Sequence, residues 1–218
     1  MKLRKVSAEQ VAAEGPEELL AGVDGILVPG GFGERGFEGK IAPIRYAREN
    51  KIPFFGICYG LQAAVVDFAR HVAGIQNATT AEYAPDAEHP VISLMEEQKA
   101  ISDLGGTMRL GAFDCTLATD THSRRAYGTT AISERHRHRF EFNNAYRKTF
   151  EAAGLMFSGT SPDGKLVEIV EVTEHPFFIA SQFHPEFGSR PERPHPLFRE
   201  FIKVSRSVLR EGGQHDLF

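Results

Sequence analysis

A three-layer α/β fold, with a mostly parallel central sheet flanked by helices, follows from three observations. Short apolar runs end at glycine turns, helical spacing follows the turns, and the two alternate through the first half of the chain. Alternating strands and helices of this kind pack as a largely parallel sheet covered on both faces.

Taken in order, Gly25-Ile26-Leu27-Val28 is an apolar run stopped by Pro29-Gly30-Gly31, and reads as a buried strand ending in a glycine loop. Ile41 to Asn50 carries helical spacing, with Ile41, Ile44 and Ala47 on one face. Ile52 to Ile57 is a second buried strand that leads into Cys58-Tyr59-Gly60, and Leu61 to His71 reads as a helix. The second half has a different texture. Leu104 to Leu117 mixes glycines with alternating residues, and Phe140 to Phe150 reads as a helix. Leu166 to Val172 alternates apolar and acidic residues, as a half-exposed strand does. Phe177 to Phe183 is apolar enough for a buried strand, and His195 to Leu209 closes the domain as a helix begun by Pro196. No repeat or linker interrupts the chain, so the expectation is one domain over residues 1–210 and a loose tail over 211–218.

Composition narrows the function. The chain has 218 residues, 41% hydrophobic and 25% charged, which suits one globular domain. A net charge of −4 gives no basic footprint for nucleic acid or for an anionic membrane. No apolar run reaches the roughly 20 residues of a membrane span. The opening MKLRKVSAEQVAAEG is basic but lacks the apolar stretch of a secretory signal. Two cysteines, Cys58 and Cys115, are no disulfide framework, so a reduced, cytoplasmic protein is expected.

Gly56-Ile57-Cys58-Tyr59-Gly60 is a G-x-C-x-G pattern between a strand and a helix. Small residues flanking a nucleophile permit the sharp turn that exposes it. The helix N-terminus favours a thiolate, and nearby backbone N–H groups can face a developing oxyanion. Alone, the pentapeptide reads equally well as a buried structural cysteine. A thiol nucleophile needs a base, and the base an orienter. His184 ends the apolar run from Phe177, at the strand edge where sites gather in α/β sheets. Across Pro185, Glu186 can turn back to fix the imidazole tautomer. Alone, His184 reads as a surface-loop histidine.

Together these pieces resemble the class I, or triad, glutamine amidotransferases, with Pro29-Gly30-Gly31, Gly56 to Gly60 and His184-Pro185-Glu186 in the expected order. Within that family, LVPGGFGERGFEGK (27–40), DLGGTMRLG (103–111), ERHRHRFEFNN (134–144) and QFHPEF (182–187) are similar to the amidotransferase half of the CTP synthases. The resemblance implies the class I glutamine amidotransferase fold and glutamine hydrolysis through a γ-glutamyl thioester. Cys58 would be the nucleophile, His184 the base and Glu186 its orienter. Gly31 and Tyr59 would supply oxyanion N–H groups, and Gly60, Leu61, Gln62, Glu82 and Arg139 would complete the glutamine site. A carboxylate at Glu82 suits the substrate ammonium, and a guanidinium at Arg139 its carboxylate. In the complete enzyme the ammonia would aminate UTP to CTP in a synthase domain, with ATP and Mg bound there, GTP as a possible effector and a homo-oligomeric assembly.

The chain departs from the pattern in three places. Tyr59 stands where leucine is usual in these synthases, and only its backbone N–H is expected to matter. The opening strand and helix of the amidotransferase half, and the synthase half, have no counterpart here. No G-x-x-x-x-G-K-[ST] loop is present. The expectation is therefore an N-terminally incomplete domain, marginally stable unless a partner covers the exposed strand edge. Arg35 is either a contact for an anionic effector or an exposed loop charge. His136 and His138 would share a face on a strand, but no fuller ligand set makes them a metal site. Cys115 reads as structural. The alternatives to a glutaminase are a γ-glutamyl hydrolase on the same scaffold and a catalytically silent binding module.

Overall fold

The computed structural model describes residues 1–94 and 108–207. The start of the Leu104 to Leu117 segment, residues 103–107 of the DLGGTMRLG motif and the tail over 211–218 lie outside the described residues.

The chain opens with α1 (Ala8–Glu14), begun by a reciprocal cap in which Ser7 Oγ accepts from Gln10 N–H and the Gln10 side chain accepts from Ser7 N–H. A single turn, α2 (Pro16–Leu19), precedes β1 (Ile26–Val28). Next come α3 (Phe37–Glu49), β2 (Phe54–Ile57) and α4 (Tyr59–His71). Helix α3 starts at Phe37 rather than at Ile41, because Gly36, at φ 74°, turns the chain into its first residues. Strands β3 (Ala78–Thr80), β4 (His89–Ser93) and β5 (Arg109–Leu117) follow. After them come α5 (His122–Tyr127), β6 (Ala131–His138), β7 (Glu141–Phe142) and α6 (Arg147–Ala152). The chain continues through β8 (Leu155–Thr160), β9 (Val167–Val172) and β10 (Phe178–Ser181) to α7 (Pro196–Ser207).

Among the described residues, seven strands form the main sheet in the order β1-β2-β10-β9-β8-β5-β6, and β3-β4-β7 make a small second sheet. The α/β class holds. Parallel pairing, however, is confined in the main sheet to β1 with β2 and β2 with β10, and every other join in that sheet is antiparallel. The second half of the chain reverses direction through short loops instead of helical crossovers. Strand β2 is buried on both faces. Phe54 packs into a core with Ile41, Ile44, Leu61 and Val65 of α3 and α4, while Phe55 and Ile57 pack with Leu197 and Phe201 of α7. This is the three-layer arrangement read from the alternation. Among the described residues no helix is long and apolar enough to cross a membrane.

Two expectations are corrected. Phe140 to Phe150 is not one helix: β7 is followed by a turn of 3-10 helix (Asn144–Tyr146) and then by α6. Asn143 breaks the run, since its amide donates to Pro90 O at 2.9 Å while its side-chain oxygen accepts from Ala145 N–H at 3.1 Å. Strand β9 is not half-exposed either. It lies between β8 and β10, and both Glu168 and Glu171 are buried. Glu171 accepts from the N–H groups of His122 and Ser123 at 2.8 and 2.9 Å, at the start of α5. Glu168 accepts from Arg109 and His136. Alternation of acidic residues signals exposure only when no cation or donor waits on the far side.

Candidate active site

Cys58 joins β2 to α4 in a conformation rare for a residue with a side chain, at φ 51° and ψ −101°. Such a backbone costs about 1–3 kcal/mol and persists only where its surroundings hold it. Here Cys58 N–H donates to Ser181 O at 2.7 Å, tying the elbow to the end of β10. The flanking glycines are required by space. A Cβ on Gly56 would lie 2.9 Å from Gly60 O, and one on Gly60 would lie 2.2 Å from Val28 O. The turn therefore sets Cys58 at the C-terminal ends of the parallel strands and at the N-terminus of α4.

His184 and Glu186 reach the same place from β10. His184 Nδ1 and Glu186 Oε1 are 2.6 Å apart, so the carboxylate holds the tautomer whose Nε2 is free to take a proton. That Nε2 is buried with no partner at hydrogen-bond geometry among the described residues. Cys58 first and Glu186 second push His184 up to about 10. Glu186 lies below the usual carboxylate range, because its hydrogen bond to His184 helps to outweigh the upward push of burial. The Pro29-Gly30-Gly31 loop closes over both groups. A Cβ on Gly30 would meet His184 Cε1 at 3.2 Å and Cys58 Cβ at 3.7 Å.

The far end of the sheet completes the site. β6 is the last strand in the order, and its free edge returns to β10. Arg135 O accepts from His184 N–H at 2.8 Å, and Arg137 O lies 4.0 Å from Cys58 Sγ. Gln182 Nε2 approaches the same sulfur to 3.7 Å.

The other predicted residues divide into two groups. Gln62 is buried in the first turn of α4. Its Nε2 donates to Phe140 O at 3.2 Å, and its Oε1 has no protein partner among the described residues. Glu82 Oε1 accepts from Gly33 N–H at 2.8 Å, which brings the glycine loop and the predicted ammonium ligand together. Arg139 follows the end of β6, half-buried. Gly31 abuts the Tyr59 ring. By contrast, Leu61 points its side chain into the core, and Gly60 serves the packing of α4 on β1. Tyr59 does more than the sequence suggests. Its hydroxyl donates to Gly33 O, so Tyr59 and Glu82 grip one residue of the loop through its carbonyl and its N–H. Arg35 is exposed and ion-paired to Glu9 at 3.2 Å.

Sequence reading missed the charged layer behind β6. Arg109 bridges Glu141 at 3.1 Å and Glu168 at 2.9 Å. His136 and His138 do share the buried face of β6. His136 sets Nε2 2.6 Å from Glu168 and Nδ1 3.0 Å from Glu134 O. Burial, then His136, push His138 down to about 3, so it is neutral. Burial pushes Glu141 up to about 8, against the pull of Arg109. The R-H-R-H-R and E-I-V-E-V runs carried the signal, but only the register that sets Arg109 opposite His138 brings them together. A cavity of about 640 Å³ beside β6 is lined by Arg135, His136, Arg137 and Arg190 with Met108, Leu110 and Phe187.

Comparison with known proteins gives a consistent picture. The model of the glutamine amidotransferase class-I family matches residues 2–204. The CTP synthase of Halalkalibacterium halodurans is 62% identical over 205 residues, which is 94% of this chain and 38% of that protein. The CTP synthase of Shouchella clausii is 63% identical over 198 residues, 91% of this chain and 37% of that protein. The chain thus spans well under half the length of these relatives. Among solved structures, the glutaminase domain of Trypanosoma brucei CTPS with bound acivicin superposes with a TM-score of 0.87 at 36% identity, over 93% of this chain and 80% of that one. With the family model matched along nearly its whole length, this chain belongs to the class I glutamine amidotransferases.

Proposed function

We propose that this chain is the glutamine-hydrolysing part of a CTP synthase, acting through Cys58, His184 and Glu186. The observation that carries the reading is the meeting of a positive-φ cysteine with a histidine whose other nitrogen is held by a carboxylate at 2.6 Å, at the C-terminal ends of parallel strands.

The Cys58 S–H proton passes to His184 Nε2, and the thiolate attacks the side-chain amide carbon of glutamine. N–H groups of Gly31 and Tyr59 face the oxyanion that forms. The C–N bond breaks as His184 returns the proton to the departing nitrogen, releasing ammonia and leaving a γ-glutamyl thioester. Water, deprotonated by His184, then cleaves the thioester to glutamate and restores the thiol. Glu186 keeps the imidazole oriented throughout. Glu82 and Arg139 hold the substrate ammonium and carboxylate, and Gln62 offers its unpartnered Oε1 to the same site. Ammonia would then aminate UTP in a synthase domain that binds ATP and Mg, in a cytoplasmic homo-oligomer.

The test is labelling with 6-diazo-5-oxo-norleucine, a glutamine-like electrophile, followed by mass mapping with and without glutamine. Modification of Cys58 that glutamine blocks supports the reading. Absence of modification, with Cys58 still open to a small thiol reagent, assigns the chain to the silent alternative. Protection by γ-glutamyl peptides in preference to glutamine points to the hydrolase.

A further inference from the structure

Among the described residues, Cys58 Sγ has two polar neighbours besides His184, and they make opposite demands. Arg137 O, at 4.0 Å, is an acceptor only. It suits the thiol, whose S–H it can receive, and it repels a thiolate. Gln182 Nε2, at 3.7 Å, is a donor, and it suits the thiolate. Gln182 is fully buried, so its amide hydrogens have no access to bulk water. Its backbone is fixed as well, since Gln182 N–H donates to Glu168 O at 2.8 Å while the preceding Ser181 O holds Cys58 N–H. Two adjacent residues, the last of β10 and the one after it, thus grip the nucleophile, one through its peptide and the other through its sulfur.

We propose that Gln182 is a further catalytic residue of the glutaminase reaction. Its side-chain N–H bonds to the Cys58 sulfur when the S–H bond breaks, the electron pair staying on sulfur and the proton passing to His184 Nε2. The inference rests on Cys58 being the nucleophile. A donor at this position offsets the unfavourable carbonyl of Arg137 and raises the thiolate population. The intrinsic nucleophilicity it removes is only a fraction of that gain. Once the thioester forms, sulfur becomes a poor acceptor and the bond is released. The interaction therefore belongs to the activation of the nucleophile and not to glutamine binding.

The experiment is alkylation of Cys58 by iodoacetamide across a range of pH, in the natural chain and in Gln182→Met, which keeps the shape and removes the donor. A hydrogen bond to an ionised group is worth enough to slow alkylation at pH 7 about tenfold in Gln182→Met. The two rates should converge at high pH, where the thiol is ionised in both proteins. A purely structural role would change thermal stability without this pH-dependent separation. Should Gln182→Met fail to fold, Gln182→Glu replaces it, and its carboxylate should slow alkylation at pH 7 at least as much. Equal rates at every pH in a folded variant overturn the proposal. Alkylation does not depend on turnover, so the result stands apart from the glutaminase reading, which fails independently if glutamine does not protect Cys58 in the natural chain.

Discussion

Tyr59 and Glu82 hold Gly33 through its two flanking peptides, one through its carbonyl and the other through its N–H. Leucine at position 59 could keep the backbone N–H but not this hold. Tyr59→Phe removes one hydrogen bond of about 1 kcal/mol. Labelling by the glutamine-like electrophile should slow about fivefold, while alkylation by iodoacetamide, which needs no glycine loop, should not change. His184 offers a second check. Its titration near 10 arises first from Cys58 and second from Glu186. Cys58→Ala should bring the imidazole resonance, followed by NMR, furthest back toward 6.5, and Glu186→Gln should move it less. With the folded value raised, the contribution to stability is complete below 6.5 and is lost as pH rises through about 10.

Among the elements, those that carry Cys58 and His184 were legible because each is a local pattern. The runs Ile52 to Ile57 and Phe177 to Phe183 bury both faces, and the glycines of the elbow mark where backbone meets backbone. What escaped was long-range. The glutamates of β9 read as solvent-facing until Arg109 and the start of α5 are placed against them. The 140–150 segment has helical composition, but Asn143 ties it to β4. Gln182 stood in the quoted QFHPEF motif, yet no local rule sends its amide to a cysteine 124 residues away. The elbow makes its own prediction. Gly60→Ala puts a methyl group 2.2 Å from Val28 O, a backbone atom that cannot turn aside. The variant should lose about 2 kcal/mol or more in a urea titration, as overpacked sites do.

Across the whole molecule, the layer of Arg109, Glu141, Glu168 and His136 fastens β5, β6 and β9 from within. Two carboxylates share one guanidinium, and the one pushed up to about 8, Glu141, takes up a proton on folding. Its folded value is above the ordinary 4.5, so the native state binds more protons than the unfolded chain between those limits. Stability should therefore decline as pH rises through that window. Glu141→Gln should flatten the decline, which thermal unfolding at a series of pH values would show. The site depends on this layer because Arg135 and Arg137 present their carbonyls to His184 and Cys58 from the strand it fastens.

The return of β6 to the end of β10 also governs the order in which the protein acquires chemistry as it folds. The site draws together the ends of β2, β10 and β6, and its Cys58 and Gln182 stand 124 residues apart in the chain, so its assembly needs long loop closures. Helices and neighbouring strand pairs can form while Cys58 is still an ordinary thiol. In a refolding time course, far-UV ellipticity should recover first, and capture of the glutamine-like electrophile should be the last signal to return.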